Sequence, residues 1–167
     1  EELSISTYIY ERLNNMGLSI RKELVSRGTY NVIVNDISSP LLVIATHMDT
    51  IKLLSLPKIR DRYVFGTGST DAKASIAAML LALENVRDLP KEVSFVFLSD
   101  EEDKGSGSEF YLMTHKPKYV LVMEPTELKV CFSGYGALEG TIFIEGRRMH
   151  PSISYLHSDA NAIMRSI

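Results

Sequence analysis

Acids follow each of three short apolar runs in this 167-residue chain, and a histidine follows the first. LLVIA, 41 to 45, leads into Thr46-His47-Met48-Asp49; VSFVFL, 93 to 98, leads into Ser99-Asp100-Glu101-Glu102-Asp103; YVLVM, 119 to 123, leads into Glu124-Pro125-Thr126. A further acid, Asp71, ends the glycine-bearing stretch Gly66-Thr67-Gly68-Ser69-Thr70. If His47, Asp71, Glu102 and Glu124 meet, their crowded carboxylates must either take up protons or hold cations between them. Oxygen ligands with one imidazole suit Zn2+, Co2+ or Mn2+ better than Ca2+, which prefers oxygen alone. An aspartate on a rigid loop can offer one oxygen to each of two metals, which would make Asp71 the bridge of a binuclear centre. His47 and Asp49 are two apart, so on extended backbone they point to one side, where Asp49 can hydrogen-bond the far ring nitrogen and set the tautomer. Glu101 and Glu102 leave their strand in different directions, so one can bind metal while the other stays free as a general base. A water acidified by metal and deprotonated by that glutamate would attack an amide or ester carbonyl.

Singly, each residue has an ordinary role. His47 reads as a satisfied polar residue at a strand end, Asp71 as a helix cap, Asp100 and Asp103 as a solvated acidic turn, and Glu124 as a strand terminator before Pro125. Their joint occurrence at three strand ends and one helix start favours the metal. Other chemistries fail on spacing. Gly66 and Gly68 begin a dinucleotide fingerprint that Asp71 breaks, Lys73 stands where a phosphate loop needs glycine, and no nucleophile elbow occurs. Cys131 reads as a small core residue.

The elements that must position these groups follow from periodicity. Ile5, Ile9, Leu13 and Met16 recur at helical spacing before Gly17, predicting an amphipathic helix. Leu18 to Leu24 and Tyr30 to Val34 flank the turn Ser26-Arg27-Gly28-Thr29 and predict a hairpin. The three apolar runs are expected to be strands buried on both faces. Ala72 to Arg87 and 106 to 114 are expected helices, the first ended by Pro90. Strands alternating with helices predict an α/β fold with a mixed, largely parallel sheet flanked by helices, whose ligands gather beyond the carboxyl ends of the strands. After Met123 the glycine-rich texture predicts strands with close turns, a polar loop and a last helix near Asp159 to Ile167, the start of a smaller α+β unit. The expected division is 1–133 and 134–167. A charge of −3 and the lack of long Lys/Arg clusters argue against nucleic acid and anionic membrane as partners. The longest uncharged apolar stretch, Ala74 to Leu83, is far below the roughly 20 residues of a membrane span. One cysteine and no visible signal segment fit a cytoplasmic protein.

In sum of its motifs the chain resembles the acetylornithine deacetylase, succinyl-diaminopimelate desuccinylase, aminoacylase and glutamate carboxypeptidase family of binuclear zinc hydrolases. The resemblance rests on THMDT at 46 to 50, GTGSTDAK at 66 to 73, SDEEDKGSG at 99 to 107, MEPT at 123 to 126 and GRRMHPS at 146 to 152. It implies a zinc-dependent exopeptidase-like catalytic domain followed by a lid or dimerisation domain. It implies two Zn2+ ions, with Asp71 as bridge, His47 and Glu124 at one site and Glu102 at the other. Asp49 would support His47, and Glu101 would be the base. His150 would reach a neighbouring subunit's site and stabilise the developing oxyanion, implying a homodimer. The implied activity is removal of an N-acyl group from an amino acid, as in arginine and lysine biosynthesis. The alternatives are a di- or tripeptidase or carboxypeptidase, and a catalytically silent metal-binding or dimerising module. Three departures stand out. Ala74-Ser75 replace the family's usual glycine pair, and the segment from His47 to Gly66 is short. The family's further histidine ligand, which follows the lid, has no counterpart, since His115 and His157 are not so placed. The expected explanation is that the natural protein continues beyond Ile167.

Overall fold

A computed structural model of the protein describes residues 2–134, 136, 140 and 150. Its contacts divide the chain into two units, Glu1–Val130 and Cys131–Ile167. The first unit runs α1 (Glu2–Asn14), β1 (Ile20–Ser26), β2 (Thr29–Val34), β3 (Leu42–His47), β4 (Lys58–Arg60), β5 (Tyr63–Phe65), α2 (Lys73–Asn85), β6 (Val93–Leu98), α3 (Ser106–Thr114) and β7 (Tyr119–Val122). Five strands form one sheet in the order β1-β2-β6-β3-β7. β6, β3 and β7 are mutually parallel; β2 runs antiparallel to both β6 and β1. The expected mixed, largely parallel α/β sheet is therefore present, with β2 alone reversed.

Alternation along the strands sends side chains to two cores. Val32, Val34, Phe95 and Phe97 face one side, where they pack with Ile9 and Leu13 of α1 and Ile76, Met79, Leu80 and Leu83 of α2. Ile33, Val43, Ala45 and Val96 face the other, against Tyr111 of α3. The registers Val32↔Phe97, Ile33↔Val96 and Val34↔Phe95 keep the two sets apart. Burying each set from both sides removes apolar area from water at about 25 cal/mol per Å², which holds the helices on the sheet. The hairpin turns at Gly28, whose φ of +83° few other residues adopt.

Two sequence expectations are corrected, and one element has no counterpart among them. β7 has the same apolar run as β3 and β6, yet every one of its residues is exposed, because among the described residues it is an edge strand with neither face covered. The segment after Asp49 contains a separate two-stranded hairpin, β4–β5, turning at Asp61 with φ +54°; its strands are only three residues long, too short to show periodicity. Cys131 is exposed, not a core residue; residues 131–134 form no strand. The expected strands and helix of 135–167 lie outside the described residues. Among the described residues no helix is long and apolar enough to cross a membrane.

Candidate metal centre

Parallel pairing brings the carboxyl ends of β3, β6 and β7 to one rim. The ladder extends past them: the Met48 N–H donates to Leu98 O at 2.7 Å, the Met123 N–H to Ala45 O at 2.8 Å, and Thr46 Oγ1 to Met123 O at 3.3 Å. His47, Asp49, Glu101, Glu102 and Glu124 are thereby carried to neighbouring positions. Asp71 arrives on the turn before α2. Here Ser69 N–H bonds to Gly66 O at 3.1 Å and Lys73 N–H to Gly68 O at 3.0 Å. Gly68, at φ +77°, has no room for a Cβ beside the Thr50 methyl.

His47 is the hub, with 2% of its side chain exposed. Its Nε2 lies 2.8 Å from Asp71 Oδ1 and 3.9 Å from Glu124 Oε2. Its Nδ1 lies 3.4 Å from Asp49 Oδ1 and 4.0 Å from Glu101 Oε2. The Nδ1 and Asp49 Oδ1 contact is close but not aligned for a full hydrogen bond, and both atoms are buried without another. Asp49 uses its other oxygen to accept the Glu102 N–H at 2.8 Å, so one carboxylate spans β3 and the loop after β6.

Contact with Asp49 is the largest influence on His47; although burial opposes it, Asp71, Glu124 and Glu101 also favour the charged ring, and its pKa rises to about 9. Burial is the main cause lifting Glu101 above the ordinary glutamate range, reinforced by Glu102, Asp49 and Asp71 and opposed by His47. Glu124 is raised likewise, burial first, with Asp71, Glu101 and Glu102 adding to it against His47. Burial would also raise Asp49, but His47 and the N–H groups of Glu102 and Glu101 outweigh it and hold the carboxyl below its ordinary value. The surrounding carboxylates thus favour a charged imidazole at the place a cation would take.

The residues fit a divalent metal. Nε2 of His47 and one oxygen each of Asp71 and Glu124 lie within 4.8 Å of one another. In a tetrahedral site with bonds of about 2.0–2.1 Å the ligand atoms stand about 3.3 Å apart, and the distances of 2.8 and 3.9 Å from His47 bracket that value. A second group joins His47, Glu101 and Glu102. Its imidazole contact runs through Nδ1, which faces Asp49, so this group lacks a free nitrogen if Nε2 is given to the first. The described contacts group Asp71 with Glu124 and Glu102 with Glu101, and give no direct meeting of Asp71 with Glu102.

Two ordinary readings fail. Asp71 does not cap α2, whose N-cap residue is Ala72 and lacks a side-chain capping bond. Asp100 is not merely solvated: its carboxylate accepts the Ser106 N–H at 3.4 Å and the Ser106 hydroxyl, and φ there is +60°. His115 lies away from the rim, buried, with Nε2 2.7 Å from Asp36 Oδ1. His150 is exposed and belongs to the second unit. Sequence reasoning overlooked Lys73, whose Nζ donates to Met48 O and, at 3.5 Å, to Asp49 O, tying the start of α2 to the rim of β3. The available signal was its place in the first helical turn, where a cation opposes the helix dipole.

Comparison with known proteins points to the family that the motifs resemble. The model of peptidase family M20/M25/M40 matches residues 43–164. The chain is 33% identical over 115 residues to a [LysW]-lysine/[LysW]-ornithine hydrolase of Sulfurisphaera tokodaii, covering 68% of this chain and 33% of that protein. It is 37% identical over 124 residues to a succinyl-diaminopimelate desuccinylase of Buchnera aphidicola, covering 65% and 32% respectively. A probable carboxypeptidase of Aspergillus flavus is 27% identical over 186 residues, covering 95% of this chain and 44% of its own length. The chain therefore spans between about a third and under half of the curated relatives it matches. With five motifs in order, a rim that gathers their acids around one histidine, and a family match over most of its length, the chain belongs to the M20/M25/M40 peptidase family.

Proposed function

We propose that this chain carries most of the metal centre of an amidohydrolase that removes an N-acyl group from an amino acid. The observation that supports this most is His47 Nε2 facing the carboxylates of Asp71 and Glu124 while Glu101 stands 4.0 Å from Nδ1. His47, Asp71 and Glu124 would hold one Zn2+, and Glu102 with Asp71 a second; Co2+ or Mn2+ suit the same donors. When bound, such a metal supplies a water acidic near neutral pH and a polarised carbonyl. Glu101 takes the proton from the attacking water on a carboxylate oxygen and returns it to the leaving amine nitrogen. Its raised affinity for protons suits both halves of that task. Asp49 keeps the Nδ1 proton of His47 in place, so that Nε2 is the lone pair left for metal.

Residues 1–133 act in this reading as the catalytic domain and 134–167 as the start of a lid. The lid would form a homodimer and bring His150 to the partner's site. The setting is the cytoplasm. A peptidase or carboxypeptidase is the second reading, favoured by the relative that aligns with 95% of this chain. The test is Glu101→Gln in the zinc-loaded enzyme. Metal content should be unchanged while hydrolysis of N-acetyl amino acids falls roughly 100-fold or more. Strong residual turnover would remove Glu101 from this role. Cleavage of dipeptides in preference to N-acetyl amino acids would select the peptidase. Failure of the unaltered protein to bind zinc or to hydrolyse either would leave the silent module.

A further inference from the structure

The segment that carries Glu101 and Glu102 is held at its neck from β2, a strand with no candidate ligand. Asn31 of β2 is fully buried. Its Oδ1 accepts the Ser99 N–H at 3.1 Å and the Ser99 hydroxyl at 3.2 Å. Its Nδ2 donates to the Gly107 carbonyl at 2.9 Å and to Glu23 Oε2 at 3.0 Å. One amide group therefore joins both ends of the loop on which the two glutamates stand. The partners also fix its orientation: turned over, the amide would face N–H with NH2 and carbonyl with carbonyl. Glu23 on β1 is itself buried, and its other oxygen accepts from Arg21 Nη2 at 2.9 Å.

Space at the neck points the same way. A Cβ on Gly107 would stand 2.7 Å from Asn31 Oδ1 and 2.8 Å from Ser99 N, so only glycine allows this approach. Within the loop the Gly107 N–H bonds to Ser99 O at 3.2 Å and the Gly105 N–H to Asp100 O at 2.6 Å. At the far end Asp49 accepts the Glu102 N–H. The loop is thus pinned at its tip by a residue of the candidate centre and at its base by Asn31.

We propose that Asn31, oriented by Glu23, is a positioning residue that sets where Glu101 and Glu102 stand over the rim. This rests on reading Glu101 as the base and Glu102 as a metal ligand. Asn31 touches neither metal nor substrate; it acts through the backbone of Ser99 and Gly107. Replacing it by aspartate keeps the acceptor for Ser99 but turns both donations into contacts between oxygens, one of them with the Glu23 carboxylate. Adding Glu23→Gln supplies an amide donor across that contact.

The experiment measures three quantities in the zinc-loaded enzyme and its variants: kcat and KM for an N-acetyl amino acid, the affinity of each step of a zinc titration, and amide exchange at Ser99 against Val96 in the centre of β6. Asn31→Ala is expected to lower kcat and weaken the second zinc step by roughly 10–100-fold each, with KM changed less than about threefold. Ser99 exchange should quicken while Val96 holds. Asn31→Asp should behave alike, and its combination with Glu23→Gln should recover at least about tenfold in kcat. Should Ser99 and Val96 quicken together with no recovery in the double variant, Asn31 is merely structural and the proposal fails. It fails equally if Ser99 quickens but neither kcat nor the second zinc step moves. If Asn31→Ala does not fold, Glu23→Gln alone decides: weakening of the second zinc step by about threefold or more supports the clamp, and no change overturns it. An unaltered protein that binds two zinc ions yet hydrolyses nothing would sink the functional reading alone, because the second zinc step still reports on Asn31.

Discussion

Asp71 stands beside the start of α2 but turns its Oδ1 to His47 instead of to the helix N–H groups. In the proposed centre its carboxylate is the one that two cations would share, so Asp71→Ala should abolish zinc binding and with it any stabilisation by zinc. Unchanged zinc stoichiometry, measured by metal analysis after gel filtration, would refute the bridge. Tyr111 presents a different case. Its ring stacks on His115 at 4.0 Å, and its buried hydroxyl has no hydrogen-bond partner among the described residues. Burial, with Asp36 and Glu23 nearby, pushes its pKa up to about 12. An unfolded tyrosine ionises near pH 10, so between about pH 10 and 12 the unfolded chain binds fewer protons and stability falls as pH rises. Below pH 10 this contribution is fully present. Tyr111→Phe should therefore remove that part of the alkaline loss and, by deleting an unpaired hydroxyl, leave stability at pH 7 equal or about 1 kcal/mol higher. A loss above about 2 kcal/mol in urea unfolding would show that the hydroxyl is satisfied.

At the scale of elements, α2 separates packing from chemistry along its length. Its first residue, Lys73, braces the rim, whereas Leu83, 2% exposed, is buried near the far end with Ile76, Met79 and Leu80 in the core beneath the sheet. The rise along a helix puts Leu83 about 15 Å from Lys73. Leu83→Ala should cost about 2–4 kcal/mol through the cavity it leaves, with zinc stoichiometry unchanged; loss of metal at constant stability would contradict this division. β3 and β6 were legible as strands because runs rich in Val, Ile and Phe are what a strand covered on both faces requires. β7 carries the same signal but lies exposed at the edge, since an apolar run records a strand's preference and not what covers it. The β4–β5 hairpin was invisible for want of length. Lys73 and Asn31 escaped notice because each works on backbone groups that are distant in the chain, and no local spacing marks such a contact.

For the molecule as a whole, metal is expected to be a source of stability as well as chemistry, because the acids of the rim crowd around His47 and favour its charged form. Stripping metal with a chelator should lower the thermal midpoint, and zinc at about 100 times its Kd should restore about 2.7 kcal/mol. A midpoint indifferent to both would argue against a metal shared between β3, β7 and the start of α2. The amino-acid sequence by itself determined the α/β class, the order of the helices and of the strands of the main sheet, the family and the candidate acids, because periodicity and ordered motifs are local properties of a chain. It also placed all of those acids but Asp71 at strand ends, where a parallel sheet gathers them, and Asp71 at the start of a helix. Only the tertiary structure decided which atoms meet. Asp71 and Glu124 face Nε2 of His47 while Asp49 and Glu101 face Nδ1, and a buried asparagine from β2 grips the loop beneath the two glutamates. Those pairings depend on strand register and on the angle at which a loop leaves the sheet, and both are set by packing between segments far apart in the chain.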